Sequence, residues 1–301
     1  MVIPGGLSAF PITPTDADGR VDVVAYRGIV GRLADAGVDS IGALGSTGTY
    51  LYLERQERRR ALEAALEATA GRTPVIAGIG ALRTDEAVKL AQDAAAIGAT
   101  AGLLAAVSYT PLTPDEVYEH FATVAREGGL PICIYDNPGT TRFHFTPELV
   151  GRLARLPGIV GIKNPTESPT ATVRHLAEQR ALTPDGFSIG YSGDGNCAEA
   201  MIGGADVWYS VLAGLLPDFG LRIVKAARQG DPATARALNA ALVPLWSLFR
   251  AHSGLRVMYV LADLMGLAHA APPLPIQPLP EAVRREVATV LADLQARPAK
   301  G

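Results

Sequence analysis

Cysteine is scarce in this 301-residue chain. Cys133 and Cys197 stand far apart and form no Cys-x-x-Cys pair. That argues against a disulfide framework and a thiolate zinc site, and it makes a reducing cytoplasm the expected location. An excess of positive charge is also missing: at a formal net charge of −3 there is no basic field for nucleic acid or an anionic membrane, so neither is expected as a partner. No apolar run approaches the ~18 residues of a membrane span. The start, Met1-Val2-Ile3-Pro4-Gly5-Gly6, lacks the charged region and apolar core of a secretion signal. No histidine cluster or carboxylate pair has metal-ligand spacing, His120 and His144 included, so no metal is expected. Lysine is the last scarcity. Only Lys89, Lys163, Lys225 and Lys300 occur among 27 basic residues.

Three of those lysines fall on expected helix faces or in the C-terminal tail. Lys163 does not. It closes the run Ile159-Val160-Gly161-Ile162-Lys163-Asn164, which reads as a buried strand. A lysine there is either a snorkelling strand-end residue or an amine in an apolar pocket, with its pKa lowered so that it serves as a nucleophile.

With 48% apolar residues the chain can bury a sizeable core. Its patterning alternates strands and helices. Strands are expected over residues 7–13, 38–44, 74–79, 101–107, 131–135, 159–163, 187–191 and 206–211. Helices are expected over 22–36, 54–70, 84–97, 113–128, 146–156, 168–179, 196–202 and 217–229. Glycine stops and Thr-Pro or Asp starts punctuate them. Eight such units in about 230 residues point to a parallel (β/α)8 TIM barrel of class α/β. The barrel catalytic domain is assigned to residues 1–229 and a C-terminal helical region to 230–301. That region has helices over 231–252, 254–267 and 280–297 and a proline-rich linker at 271–280.

In such a barrel the active site lies where the strands end. Gly45-Ser46-Thr47-Gly48 follows the second strand and Tyr109 the fourth. Tyr135 ends the fifth, Lys163 the sixth, Gly193-Asp194 follows the seventh, and Tyr209-Ser210 lies on the eighth. Hydroxyls, phenols and one amine converge, which suits imine chemistry on a keto acid without a metal. Tyr135 is placed to move protons as general acid/base. The Gly-Ser-Thr-Gly turn offers N–H groups and hydroxyls to a carboxylate, and it is not a P-loop because Gly-Lys-Ser/Thr is absent. The plainer readings are that Tyr135 is a rim aromatic, Tyr109 a packing residue, Asp194 a cap of the following helix, and Cys133 a small core hydrophobe. The plainer reading of Arg55, Arg58 and Arg59 is a solvated helix face or a subunit contact.

Taken in order, Gly45-Ser46-Thr47-Gly48, Tyr109, Tyr135 with Asn137-Pro138, Gly161-Ile162-Lys163 and Ser192-Gly193-Asp194 resemble the dihydrodipicolinate synthase / N-acetylneuraminate lyase family over nearly the whole chain. The resemblance implies a class I pyruvate-dependent aldolase or lyase that condenses pyruvate with an aldehyde or cleaves a 2-keto acid. It implies no cofactor other than a covalent imine on Lys163. Tyr135 matches the proton-shuttling tyrosine. Ser46 and Thr47 match the pair that binds the pyruvate carboxylate, with Ser46 also relaying protons. Tyr109 matches a tyrosine lent by a neighbouring subunit, which implies a homo-oligomer, dimer or tetramer. Gly45, Gly193 and the main chain at Tyr209 match positions lining the pyruvate end.

The chain also departs from the family. Where lysine-pathway synthases carry an arginine after the tyrosine strand, this chain has Thr140, with Arg142 two residues on. Thr49 replaces the glutamate of the Gly-Thr-Thr-Gly-Glu loop. Tyr50 and Leu82 stand where regulated members contact lysine. Pro165 replaces the threonine of the sialic-acid lyases. Two alternatives follow: an aldolase or dehydratase of 2-keto-3-deoxy sugar acids, using Thr140, Thr141, Asn164 and Thr166, or a non-catalytic keto-acid-binding paralogue.

Overall fold

Short runs of small and β-branched residues pair edge to edge in the computed structural model, which describes residues 3–296. The strands are β1 Gly6–Ala9, β2 Ser40–Ala43, β3 Val75–Gly78, β4 Ala101–Ala105, β5 Ile132–Tyr135, β6 Ile159–Pro165, β7 Ser188–Ser192 and β8 Val207–Ser210. All neighbours are parallel and β8 returns to β1, closing the barrel. Most strands are shorter than the sequence pattern, because residues beyond the closed ladder turn away into loops. β6 runs on to Pro165.

The helices lie outside. They are α1 Val23–Asp35, α2 Arg55–Thr69, α3 Thr84–Ile97, α4 Pro114–Glu127, α5 Pro138–Thr141, α6 Pro147–Leu153, α7 Pro169–Leu182, α8 Asp194–Ile202 and α9 Pro217–Arg228. Local chemistry sets their starts. Thr113 and Glu116 form a capping box on α4, and Asp22, Thr146 and Ser168 cap α1, α6 and α7 through their side chains. The four-residue α5 lies between the strand expected over 131–135 and the helix expected over 146–156, where the pattern predicts no helix. The C-terminal helices are α10 Pro232–Ala240, α11 Val243–His252, α12 Gly254–Leu264 and α13 Glu281–Gln295. The single helix expected over 231–252 is therefore two, because Pro244 has no N–H and its ring clashes with the carbonyl one turn back. The expected helix end at 297 and Lys300 lie outside the described residues.

Alternation along the strands divides two cores. Ile132, Ile134 and Ile162 face the helices, whereas Phe10, Ile76, Leu103, Cys133, Tyr135, Val207 and Tyr209 fill the barrel. Cys133 is fully buried, and burial pushes its thiol up to about 12. One irregularity governs the site. Ile132 pairs with Ile159, but Cys133 pairs with Gly161, so β6 carries one extra residue there. Tyr135 consequently pairs with Lys163. Regular pairing would set Tyr135 opposite Ile162, and the two functional side chains would leave opposite faces of the sheet.

Two sequence readings are corrected. Arg58 is not on a solvated face: it is 7% exposed. Its guanidinium donates to the carbonyls of Tyr50 and Gly80 at 2.8 and 3.0 Å and lies over the Tyr50 ring. Burial lowers its pKa to about 10. The helix turns this one arginine inward while Arg55 and Arg59 pair with Asp93 of α3. Asp194 does not cap α8: the N-cap is Gly193, and no side chain caps the helix. Its carboxylate instead accepts from Trp208 Nε1 at 2.9 Å, Val211 N at 3.3 Å and Leu212 N at 2.7 Å, tying the start of α8 to the end of β8.

Glycine makes the interior possible at two places. A Cβ on Gly42 would lie 2.2 Å from Phe10 Cζ, and one on Gly190 would lie 2.5 Å from Tyr209 Cε2. Gly42→Ala is expected to destabilise the fold by about 1–3 kcal/mol through overpacking, measured as a lowered urea midpoint. An unchanged midpoint would show that Phe10 is not held there.

Candidate active site

Lys163 is 4% exposed. Its Nζ lies 3.8 Å from the ring centroid of Phe10, 4.3 Å from that of Tyr135 and 5.8 Å from that of Tyr209. Phe10 and Tyr209 meet edge to face at 5.8 Å, so three rings form the floor around the amine. Favourable contact with ring faces offsets part of the cost of burying an ammonium, and the same apolar floor keeps bulk water away.

The phenol of Tyr135 stands between two partners. Its oxygen is 3.2 Å from Ser46 Oγ and accepts from Asn137 Nδ2 at 3.0 Å. The amide donor holds the phenol oxygen and leaves its proton free for Ser46. Ser46 and Thr47 sit in a tight turn flanked by Leu44 and Thr49, both with positive φ, 58° and 51°. Such a backbone is costly for L residues and recurs at ligand sites. Arg58 pins this turn from behind through the Tyr50 carbonyl.

Beside Ser46 and the hydroxyl turn opens a cavity of about 520 Å³, which neither Lys163 nor Tyr135 lines. Ser46, Thr47, Thr140, Thr141 and Ser253 line it together with Tyr52, Leu255 and Ile276, and no charged side chain does. Arg142 is exposed and does not line it. Thr140 Oγ1 donates to the Asn137 carbonyl. Gly193 lies elsewhere. Its φ of +98° and a would-be Cβ 2.3 Å from Thr166 Oγ1 place it in a neighbouring cavity. Gly45 packs on Phe10. Tyr209 contributes its ring rather than an open hydroxyl, which lies 3.5 Å from Cys133 Sγ. Tyr109 is 95% exposed and does not line the cavity of its own chain.

The structure thus brings together Lys163, Tyr135, Ser46, Thr47 and Thr140, and it leaves Tyr109 on the surface. Sequence reasoning missed Phe10 and the hydrogen-bonding role of Asn137. The only signals were the glycines at 42 and 45, whose missing side chains admit the ring, and an amide two residues after the tyrosine. Among the described residues no group of three or more His, Cys, Asp or Glu side chains is arranged to hold a metal ion.

The chain can now be set beside known proteins. The model of the Dihydrodipicolinate synthetase family matches residues 3–294. The 4-hydroxy-tetrahydrodipicolinate synthase of Methylococcus capsulatus is 39% identical over 277 residues, 91% of this chain and 93% of that protein. The crystal structure of dihydrodipicolinate synthase from Agrobacterium tumefaciens superposes with a TM-score of 0.94 at 52% identity, covering 96% of this chain and 98% of that one. The Acinetobacter baumannii dihydrodipicolinate synthase solved in complex with pyruvate gives a TM-score of 0.89 at 29% identity, covering 98% and 100%.

Behind the site, Asp136 follows Tyr135 into a small space lined by His144, Glu167, Thr172 and His175. Burial raises its carboxyl from 3.8 to about 6, while His144, 3.6 Å away, pulls it down. Between those values the folded chain holds a proton that the unfolded chain has released. Asp136 therefore stabilises the fold at acid pH, and that contribution is lost as pH rises through about 6. Asp136→Asn is expected to escape the loss and to gain about 3 kcal/mol on the parent between about pH 4 and neutrality, read from urea midpoints across that range. Parallel curves would refute it.

Proposed function

Because the chain belongs to the dihydrodipicolinate synthetase family, we propose that it is a lyase that forms an imine between Lys163 and pyruvate, that loss of a methyl proton turns this imine into its enamine, and that the enamine adds to, or is released from, an aldehyde. One observation carries the reading: the register partners Lys163 and Tyr135 meet inside the barrel, with Ser46 Oγ 3.2 Å from the phenol. The neutral amine attacks the keto carbon. Tyr135 passes a proton to the carbinol oxygen, which leaves as water, and Ser46 relays protons between the phenol and the substrate. The N–H groups and hydroxyls of Ser46 and Thr47 hold the carboxylate. The imine serves as the electron sink, so no further cofactor enters. Thr140 contacts the second substrate.

Tyr109, almost wholly exposed, suits a residue that completes the site of a neighbouring copy, in a dimer or tetramer; Leu51 and Tyr52, which line the cavity, are half-exposed. Two buried free cysteines support a reducing compartment, the cytoplasm, as the setting of the reaction. Among the described residues no helix is long and apolar enough to cross a membrane.

A second reading concerns the partner aldehyde. The open cavity presents hydroxyls from Thr140, Thr141 and Ser253 and no charge. It therefore has no bidentate clamp for a carboxylate near the new bond, and it suits a hydroxylated aldehyde and a 2-keto-3-deoxy sugar acid. Assays with aspartate semialdehyde against sugar keto acids separate the two.

Borohydride reduction with pyruvate is expected to leave one adduct, mapped by mass to Lys163 and abolished in Lys163→Ala. An unlabelled protein, or a label on another lysine, would overturn the reading. Tyr135→Phe is expected to lower kcat by about 10²–10⁴-fold with little change in the KM for pyruvate. Tyr109→Ala is expected to lower kcat in an oligomer whose sedimentation is unchanged. Full activity in that variant would remove the partner's role.

A further inference from the structure

A second cavity of about 370 Å³ adjoins the first, and both are lined by Val211 and Gly254. It lies past the ends of β6 and β7. Thr166, three residues beyond Lys163, donates its backbone N–H to the Ser192 carbonyl and its hydroxyl to the Gly193 carbonyl. Gly190 of β7 is the register partner of Lys163. The opposite wall is α11, held to the barrel by Asn239 Nδ2 donating to the Gly195 carbonyl and by Trp246 Nε1 donating to Asn239 Oδ1. The last turn of α11 supplies Arg250.

Charge sets this second cavity apart. The first has no charged side chain, and the second has two, Asp194 and Arg250. Asp194 is buried, with both carboxylate oxygens engaged by Trp208, Val211 and Leu212. Arg250 is exposed and spends one N–H on Ser247 Oγ of its own helix. Among the described residues it forms no ion pair, so most of its five donors remain for a ligand. Ser253, with φ +71°, stands between Arg250 and the shared Gly254 and lines the first cavity.

We propose that the second cavity receives the far end of the substrate and that Arg250 selects a 2-keto acid whose terminal carbon bears an anion, a carboxylate or a phosphate. The proposal rests on the lyase reading above. The keto-acid end occupies the hydroxyl turn and the amine, the middle carbons lie along the uncharged hydroxyl wall, and the terminal anion meets the Arg250 guanidinium across Val211 and Gly254. A fork of N–H donors matches either anion.

The test is steady-state cleavage of three 2-keto-3-deoxy acids of equal carbon number, ending in a hydroxymethyl, a carboxylate or a phosphate group. The parent, Arg250→Gln and Arg250→Lys are compared. The parent is expected to favour an anionic end, and the carboxylate and phosphate arms show which. Arg250→Gln is expected to raise KM for the favoured anionic substrate about tenfold or more, with kcat within about twofold and the hydroxymethyl substrate unaffected. Arg250→Lys is expected to fall between the two. A parent that prefers the neutral end, or a variant that shifts all three substrates equally or none, overturns the proposal. Borohydride trapping of pyruvate in Arg250→Gln keeps the two readings apart: an adduct on Lys163 leaves the lyase reading standing whatever becomes of Arg250, and its absence in the parent removes both.

Discussion

The site depends on one irregular step in the ladder between β5 and β6. The extra residue on β6 around Val160 moves the pairing by one position. Side chains alternate along a strand with period two, so one position decides inside from outside. With the step, Tyr135 and Lys163 are register partners and share the barrel interior. Ile162 and Asn164 then face outward, Asn164 to exchange hydrogen bonds with Gln179 of α7.

Around this pair the barrel separates two tasks. The floor of Phe10, Tyr135 and Tyr209 is apolar and close-packed, and it exists because glycines at 42, 45 and 190 leave room for the rings. The rim is made of turns whose carbonyls and N–H groups are fixed from behind by buried charged residues. Arg58 holds the carbonyls at Tyr50 and Gly80, and Asp194 holds the N–H groups of Val211 and Leu212. Each is buried where a charge is expensive, and each satisfies backbone groups that a tight loop cannot pair by itself. The hydroxyl-bearing residues Ser46, Thr47, Thr140 and Thr141 thereby line the cavity on a stiff frame. That suits a reaction needing carboxylate binding and short proton transfers more than it suits strong charge.

Much of this was legible in the chain. The repeat of strand, glycine stop and capped helix gave the eight units and their order, because caps, turns and periodicity are local. The lone lysine on a β-branched run stood out by composition, and the hydroxyl-rich turn by its glycines. Where the fold departs from the local pattern, the causes are also local. Pro244 divides the stretch 231–252 into α10 and α11. Arg58 turns inward, because one face of a helix in such a barrel packs on the strands. Asp194 stands at a helix start but bonds across the loop to β8 and the residues after it.

By itself the sequence determined the barrel, the lysine, the tyrosine and the hydroxyl-rich turn, since each is written in neighbouring residues. Only the tertiary structure decided that Lys163 and Tyr135 share a face, that Phe10 lies beneath the amine, that Asn137 holds the phenol, and that Arg142 stays out of the cavity while Arg250, 87 residues beyond Lys163, lines the one beside it. The reason is physical. Ladder register and helix docking are fixed by contacts between segments far apart in sequence, and a one-residue shift in either redirects every side chain that follows.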